Sequence, residues 1–181
     1  IMSDQDVDGF HIRGLIKAMF SSHWEELLSI PGFIQVMKTP LVKAFKRKRF
    51  VKEFFNEQEA KDYYKDHSTL TYKYYKGLGT STAAEAKEYF KNLDRYRFNV
   101  TGDPGALKRA YGEDTLFRKE LSAVPPMICD GVTYEDFVRG PYASYVRADN
   151  KRKIPALEDG LKEVQRKILY TFLTRKYKTE Q

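Results

Sequence analysis

Ile1-Met2-Ser3-Asp4-Gln5-Asp6-Val7-Asp8-Gly9-Phe10-His11-Ile12 opens the chain and decides its reading. Ile1–Ser3 reads as a strand end. Carboxylates follow at alternate positions 4, 6 and 8, and Gly9 lets the backbone turn. From His11 to Ser29, the apolar residues Ile12, Leu15, Ile16, Met19, Phe20, Trp24, Leu27 and Leu28 recur at i, i+3 and i+4. That spacing predicts an amphipathic helix, ended by Pro31-Gly32. Acids at the carboxyl end of a strand stand where α/β sheets bind ligands, and hard oxygens suit Mg²⁺ acting on phosphate. An EF-hand loop starts with the same spacing, but its twelfth position must be a bidentate Glu and here it is Leu15. No helix precedes the loop, and Arg13 would lie inside it. Offsetting a helix dipole needs one acid rather than three.

Outward from this turn, Phe33–Phe45 and Phe50–Phe55 read as strands, with Thr39-Pro40 as a kink and Lys46–Arg49 as a basic turn. Glu57–Asp66 reads as a polar helix, Leu70–Tyr75 as a strand, and Thr82–Leu93 as a helix opened by a Thr82-x-x-Glu85 capping box. This order predicts an α/β domain. Residues 99–105 form a breaker cluster and mark a boundary. Beyond it, 106–111, 113–122 and Tyr134–Arg139 read as helices, with turns at Pro125-Pro126 and Asp130-Gly131. A last helix is expected over Leu161–Lys176, with Asp159 as its N-cap. The expected division is 1–98, 99–148 and 149–181. With a strand end at the very start, the chain is expected to be a fragment.

Composition narrows the function classes. The 181 residues are 41% hydrophobic and 14% aromatic, too apolar for a disordered chain. Every apolar run is too short to span a bilayer, and no secretory signal is expected. The single Cys129 excludes an internal disulfide and a thiolate metal cluster, and His11, His23 and His67 are too far apart for a helical zinc motif. The net charge is +7 and unevenly placed. Residues 1–37 hold two bases against five acids, 38–52 hold seven bases and no acid, and 151–178 hold nine bases against three acids. An acidic cluster in a basic chain suits a metal site beside a phosphate-binding surface.

Two further segments fit that surface. Lys76-Gly77-Leu78-Gly79-Thr80-Ser81 joins a strand to a capped helix. It is neither a P-loop nor a dinucleotide fingerprint, but its glycines let the backbone approach closely, and amides at a helix start can hold phosphate. Lys73 and Lys76 add charge there. Near the other end, Lys162 and Arg166 share a helix face with Lys167 one step round. Cations in a helix's first turns oppose its dipole, so they are expected to meet an external anion.

Three segments together resemble the DNA-cleavage core of type IIA DNA topoisomerases. Residues 1–12 resemble the acidic motif of the Toprim domain in that family. Lys73–Ser81, continuing through Glu85-Ala86-Lys87-Glu88-Tyr89-Phe90, is similar to the Toprim glycine motif in its eukaryotic or large-DNA-virus form. Ile154-Pro155, Asp159–Lys162 and Gln165-Arg166-Lys167 resemble the entry to the winged-helix domain, and Arg118-Lys119 falls where the family carries a DNA-facing pair.

The resemblance implies a partial, Rossmann-like Toprim domain over 1–98, a helical connection over 99–148, and the start of a winged helix over 149–181. It implies Mg²⁺, two ions in the complete site, with Mn²⁺ or Ca²⁺ as substitutes. Asp4 would be shared by both ions, Asp6 would bind the second, and Asp8 would complete the triad. Lys76, Gly77, Arg118, Lys119, Arg152 and Lys162 would lie near the backbone of double-stranded DNA, with Lys73, Arg166 and Lys167 adding to the surface. It further implies a nucleophilic tyrosine, a Toprim Glu and an ATP-binding domain, none of which this chain carries, so the fragment alone is expected not to cleave DNA. A homodimer acting in the nucleus, or in the viral factory of a large DNA virus, and no membrane association complete the implication. Phe10 where the family has a small residue, Glu158 where it has a neutral one, and Glu163-Val164 where it has a proline are departures. The competing readings are a DNA-binding module with Mg²⁺ and no chemistry, and another Toprim enzyme such as a primase or nuclease. The residues after 100 argue against the last.

Overall fold

The computed structural model describes residues 1–129 and 131–175. Asp130 and Lys176, read above as parts of a turn and a helix, lie outside them. Helix and short strands alternate, as the pattern predicts. Helix α1 (Val7–His23) and a short α2 (Glu25–Leu28) precede β1 (Gln35–Met37), β2 (Val42–Lys46) and β3 (Arg49–Phe54). Then come α3 (Glu57–Asp66), β4 (Thr71–Tyr74), a 3₁₀ turn at Leu78–Thr80, α4 (Ala83–Lys91), α5 (Leu93–Tyr96) and β5 (Arg97–Asn99). Helices α6 (Gly105–Tyr111), α7 (Thr115–Ala123), α8 (Tyr134–Phe137), α9 (Ala143–Lys153) and α10 (Glu163–Thr174) complete the described chain.

The strands form two small antiparallel sheets, β1-β5 and β3-β2-β4. The expected strand end at Ile1–Ser3 is a single parallel bridge from Met2 to Met37. Thr39-Pro40 divides the long predicted strand into β1 and β2, since proline gives no ladder donor. The β2–β3 turn is basic, as read, and places Arg47 and Lys48 at positive φ. Among the described residues no helix is long and apolar enough to cross a membrane.

Helix α1 departs most from expectation. Its apolar residues Ile12, Leu15 and Met19 are 51%, 49% and 45% exposed, while Gly9, Arg13, Gly14, Lys17 and Ser21 are buried. The buried stripe is small or cationic because α6 and α9 pack closely on it. At Gly14 an added Cβ would fall within 1.7 Å of the Tyr111 hydroxyl, so a larger residue does not fit. The main core lies on the far side of that contact: Leu107, Tyr134, Phe137, Val138 and Tyr142 meet there with almost no exposure.

The short α5, β5 and α9 were not read from the sequence. β5 was hidden beside the breaker cluster, and pairs with β1. α9 carries no apolar stripe. It continues α8 through a π-helical turn, Val138–Tyr142, where Pro141 offers no amide for an α-helical bond. α10 begins two residues later than expected: Asp159 instead accepts the Leu161 amide at 2.9 Å, and the Gln165 side chain accepts the Lys162 amide at 2.8 Å.

Candidate metal and nucleic-acid site

The acidic motif sits where β-like backbone becomes α1, and each carboxylate has a different local task. Asp6 is the N-cap of α1, its side chain accepting the Gly9 amide at 2.7 Å. Asp4 reaches across to the glycine motif: its Oδ1 accepts the Leu78 amide at 2.7 Å. Asp8, in the first turn of α1, is gripped by the Arg152 guanidinium, with Nη1 to Oδ2 at 2.9 Å and Nη2 to Oδ1 at 2.5 Å. That charge-assisted bond lowers the Asp8 pKa and raises that of Arg152.

Steric fit brings the two motifs together. An added Cβ at Gly9 would lie 2.1 Å from the Asp4 carbonyl oxygen, and one at Gly77 would lie 2.7 Å from the Asp4 carboxyl carbon. Arg13 fixes the loop from behind. Its Nε donates to Ser3 Oγ at 2.9 Å and its Nη2 to Asp4 O at 3.1 Å and Gln5 Oε1 at 2.9 Å. Burial pushes the Arg13 pKa down to about 10, with Asp6 working the other way.

Among the described residues, no three His, Cys, Asp or Glu side chains stand close enough together to hold a metal ion. The donor chemistry nevertheless suits one. Asp4 and Asp6 are exposed, hard, and each uses one carboxylate oxygen in a hydrogen bond, leaving the other without one among the described residues. Both oxygens of Asp8 are engaged by Arg152.

The glycine turn is held differently from the reading above. The Leu78 amide, a candidate phosphate donor, is spent on Asp4, and the Thr80 hydroxyl donates to Gly77 O at 2.6 Å. The capping box at Thr82 is present as expected. Its Glu85 does far more than cap. It accepts the Tyr75 hydroxyl, the Thr82 amide at 2.7 Å and the Lys73 ammonium at 3.2 Å, and lies 3.9 Å from the buried Lys43 ammonium. Burial resists its ionisation, but the Thr82 amide, Tyr75 hydroxyl and Lys73 ammonium outweigh it and hold the pKa at about 2. Sequence reading saw only the cap, because the Tyr75, Lys73 and Lys43 contacts need the folded sheet.

The candidate DNA-binding side chains divide into two sets. Lys76, Lys119 and Lys162 are exposed and make no ion pair among the described residues. The others are held by their own chain. Lys73 bonds Glu85, and Arg118 donates to the carbonyls of Gly112 and Ala110. Arg152 grips Asp8 and Asp149, Arg166 forks onto Asp159, and Lys167 meets Glu163 at 2.7 Å. Gly77 is half-buried against Asp4. The cations expected to offset the α10 dipole problem through an external anion are thus answered in part by Asp159 and Glu163.

An acidic turn at the start of α1, locked to a glycine turn through the Leu78 amide, is the pairing of motifs that resembles the Toprim kind. Comparison with known proteins agrees. Residues 37–150 match the family described as the C-terminal associated domain of TOPRIM. The DNA topoisomerase 2 of Bombyx mori is 38% identical over 206 residues, which covers 99% of this chain and 13% of that protein. A putative mitochondrial DNA topoisomerase 2 of Caenorhabditis elegans is 39% identical over 188 residues, covering 96% of this chain and 16% of that one. The crystal structure of the Plasmodium falciparum topoisomerase II DNA-binding, cleavage and re-ligation domain superposes with a TM-score of 0.82 at 34% identity, over 99% of this chain and 26% of that one. The chain belongs to the type IIA DNA topoisomerase family. It spans only 13–16% of these two curated relatives.

Proposed function

We propose that this chain is part of the DNA-binding and cleavage core of an ATP-dependent type II topoisomerase, which alters DNA topology through a transient double-strand break. The observation that carries this reading is the bond from the Leu78 amide to Asp4, which joins the acidic and glycine motifs across 74 residues. Asp4 and Asp6 would hold Mg²⁺ through their oxygens without hydrogen bonds. Bound there, the ion supplies positive charge against a phosphodiester and its leaving oxygen. Gly9 and Arg13 keep the Asp4 backbone in place, and Asp6 fixes the start of α1. A nucleophilic tyrosine, the Toprim Glu and the ATPase belong to other parts of the whole protein, so these residues alone do not cleave DNA. We assign residues 1–98, 99–148 and 149–181 to the Toprim part, the helical connection and the winged-helix start. The complete enzyme is proposed to be a homodimer on double-stranded DNA, in the nucleus or a viral factory.

DNA affinity tests the surface. Anisotropy titrations of duplex DNA against rising salt should show log K falling linearly, with a slope of about −0.9 per phosphate contacted. Lys162→Ala should flatten that slope by about one unit and weaken all sequences alike, because phosphate contacts carry no base information. A salt-independent affinity would remove the nucleic-acid reading.

A Mg²⁺ titration tests the metal roles. Asp4→Asn should weaken binding about tenfold or more, and Asp8→Asn less, since Asp8 is committed to Arg152. Arg152→Ala should strengthen Mg²⁺ binding by releasing that carboxylate. Asp8→Asn proving the more damaging of the two acids would reverse the assignment.

A further inference from the structure

Behind the acidic loop lies a cavity of about 270 Å³, between α1, the end of β1, the start of α3 and the π-helical turn. Lys17 lines it and has no exposed surface. Its ammonium has no hydrogen-bond partner among the described residues and sits 3.8 Å from the centroid of the Phe137 ring. Burial pushes its pKa down to about 7, and the Arg13 and Lys38 charges push the same way. Glu59 is the acid on the cavity wall among the described residues, and it is paired with Lys52 at 3.1 Å. Phe10, Val36 and Phe55 give the wall an apolar side, and Gln5, Arg13, Lys38 and Asn56 a polar one.

A cation held this deep, with a ring face but no hydrogen-bond or ion-pair partner among the described residues, is costly, and the cost is relieved when an anion enters beside it. The space is far too small for a duplex and larger than an inorganic oxyanion needs. We propose that the cavity binds a small organic anion, its acidic group against Lys17 and its body against Phe10, Val36 and Phe55. The reading is independent of the DNA surface. It couples to that surface structurally, because Gln5 and Arg13 line the cavity and also hold the Asp4 backbone.

Phenyl phosphate and benzoate are the probes, with benzamide as neutral isostere and inorganic phosphate as bare oxyanion, all at constant ionic strength. Thermal unfolding of the 181-residue chain should rise saturably with phenyl phosphate or benzoate, by about 4 °C at tenfold excess over Kd. Benzamide should leave it unchanged. Lys17→Met should raise the unliganded midpoint by about 3 °C or more and abolish the response. In the wild type, amide NMR shifts at Phe10, Lys17 and Phe137 should move along one saturating path. A lowered midpoint in Lys17→Met would mean that the ammonium is already satisfied and would overturn the proposal. So would an equal anion response in that variant, or no saturable shift at the three amides. Inorganic phosphate matching phenyl phosphate would assign the space to a free oxyanion and remove the organic body.

Discussion

Glu85→Ala is expected to cost about 3–5 kcal/mol of folding stability, among the largest effects of any single change in this chain. The carboxylate gathers the Tyr75 hydroxyl, the Thr82 amide and the ammonium groups of Lys73 and Lys43; Tyr75 and Lys43 are buried, while Thr82 and the Lys73 side chain are open to water. Removing it strands a buried Lys43 and a buried Tyr75, whose hydroxyl is held protonated by burial and by Glu85. Acid does the same by titration. The pKa of Glu85 falls from 4.5 to about 2 on folding. Its stabilisation is therefore full above pH 4.5 and is lost as pH falls through about 2, amounting to about 3 kcal/mol. Urea unfolding of wild type and Glu85→Gln between pH 7 and pH 2.5 measures this. The variant should be less stable at pH 7, and the gap should narrow in acid. A gap that does not change with pH would show that the carboxylate's charge is not what stabilises the sheet–helix junction.

Gly9→Ala should be the second large effect, about 3 kcal/mol, because the new methyl meets backbone atoms of Asp4 that cannot rotate away. Gly77→Ala makes an instructive comparison. Its methyl meets the end of the Asp4 side chain, which can swing aside, so the fold should lose less than about 1 kcal/mol. Both variants should lose Mg²⁺ affinity, since both displace Asp4. Chemical denaturation separates them: equal unfolding midpoints would mean that the Asp4 backbone yields more readily than its packing against Gly9 suggests.

Local signals in the chain were legible, and those that depended on tertiary approach were not. Thr82 and Glu85 declare a helix start by spacing alone, and helix 57–66 and strand 49–54 follow their patterns closely. Helix α1 misled because Ile12, Leu15 and Met19 have the right period, while the face that packs is chosen by how closely α6 can approach Gly14. α9 was missed because Ala143 is its one buried residue and α8 leads into it. At the site, the two motifs were recognisable separately. Their contact through Leu78, and the grip of Arg152 on Asp8 across 144 residues, depend on chain distance that no local pattern encodes.

The apolar stripe of α10 has a practical consequence for handling. Val164, Ile168, Leu169, Phe172 and Leu173 all stand open to solvent beside Lys162 and Lys167. In dilute buffer a net charge of +7 holds copies of the chain apart, but near 1 M salt that repulsion reaches only about 3 Å and the stripes are free to meet. The colloid is therefore governed by the same variable as DNA binding. Light scattering recorded alongside each salt titration will distinguish protein that has released DNA from protein that has gathered with itself.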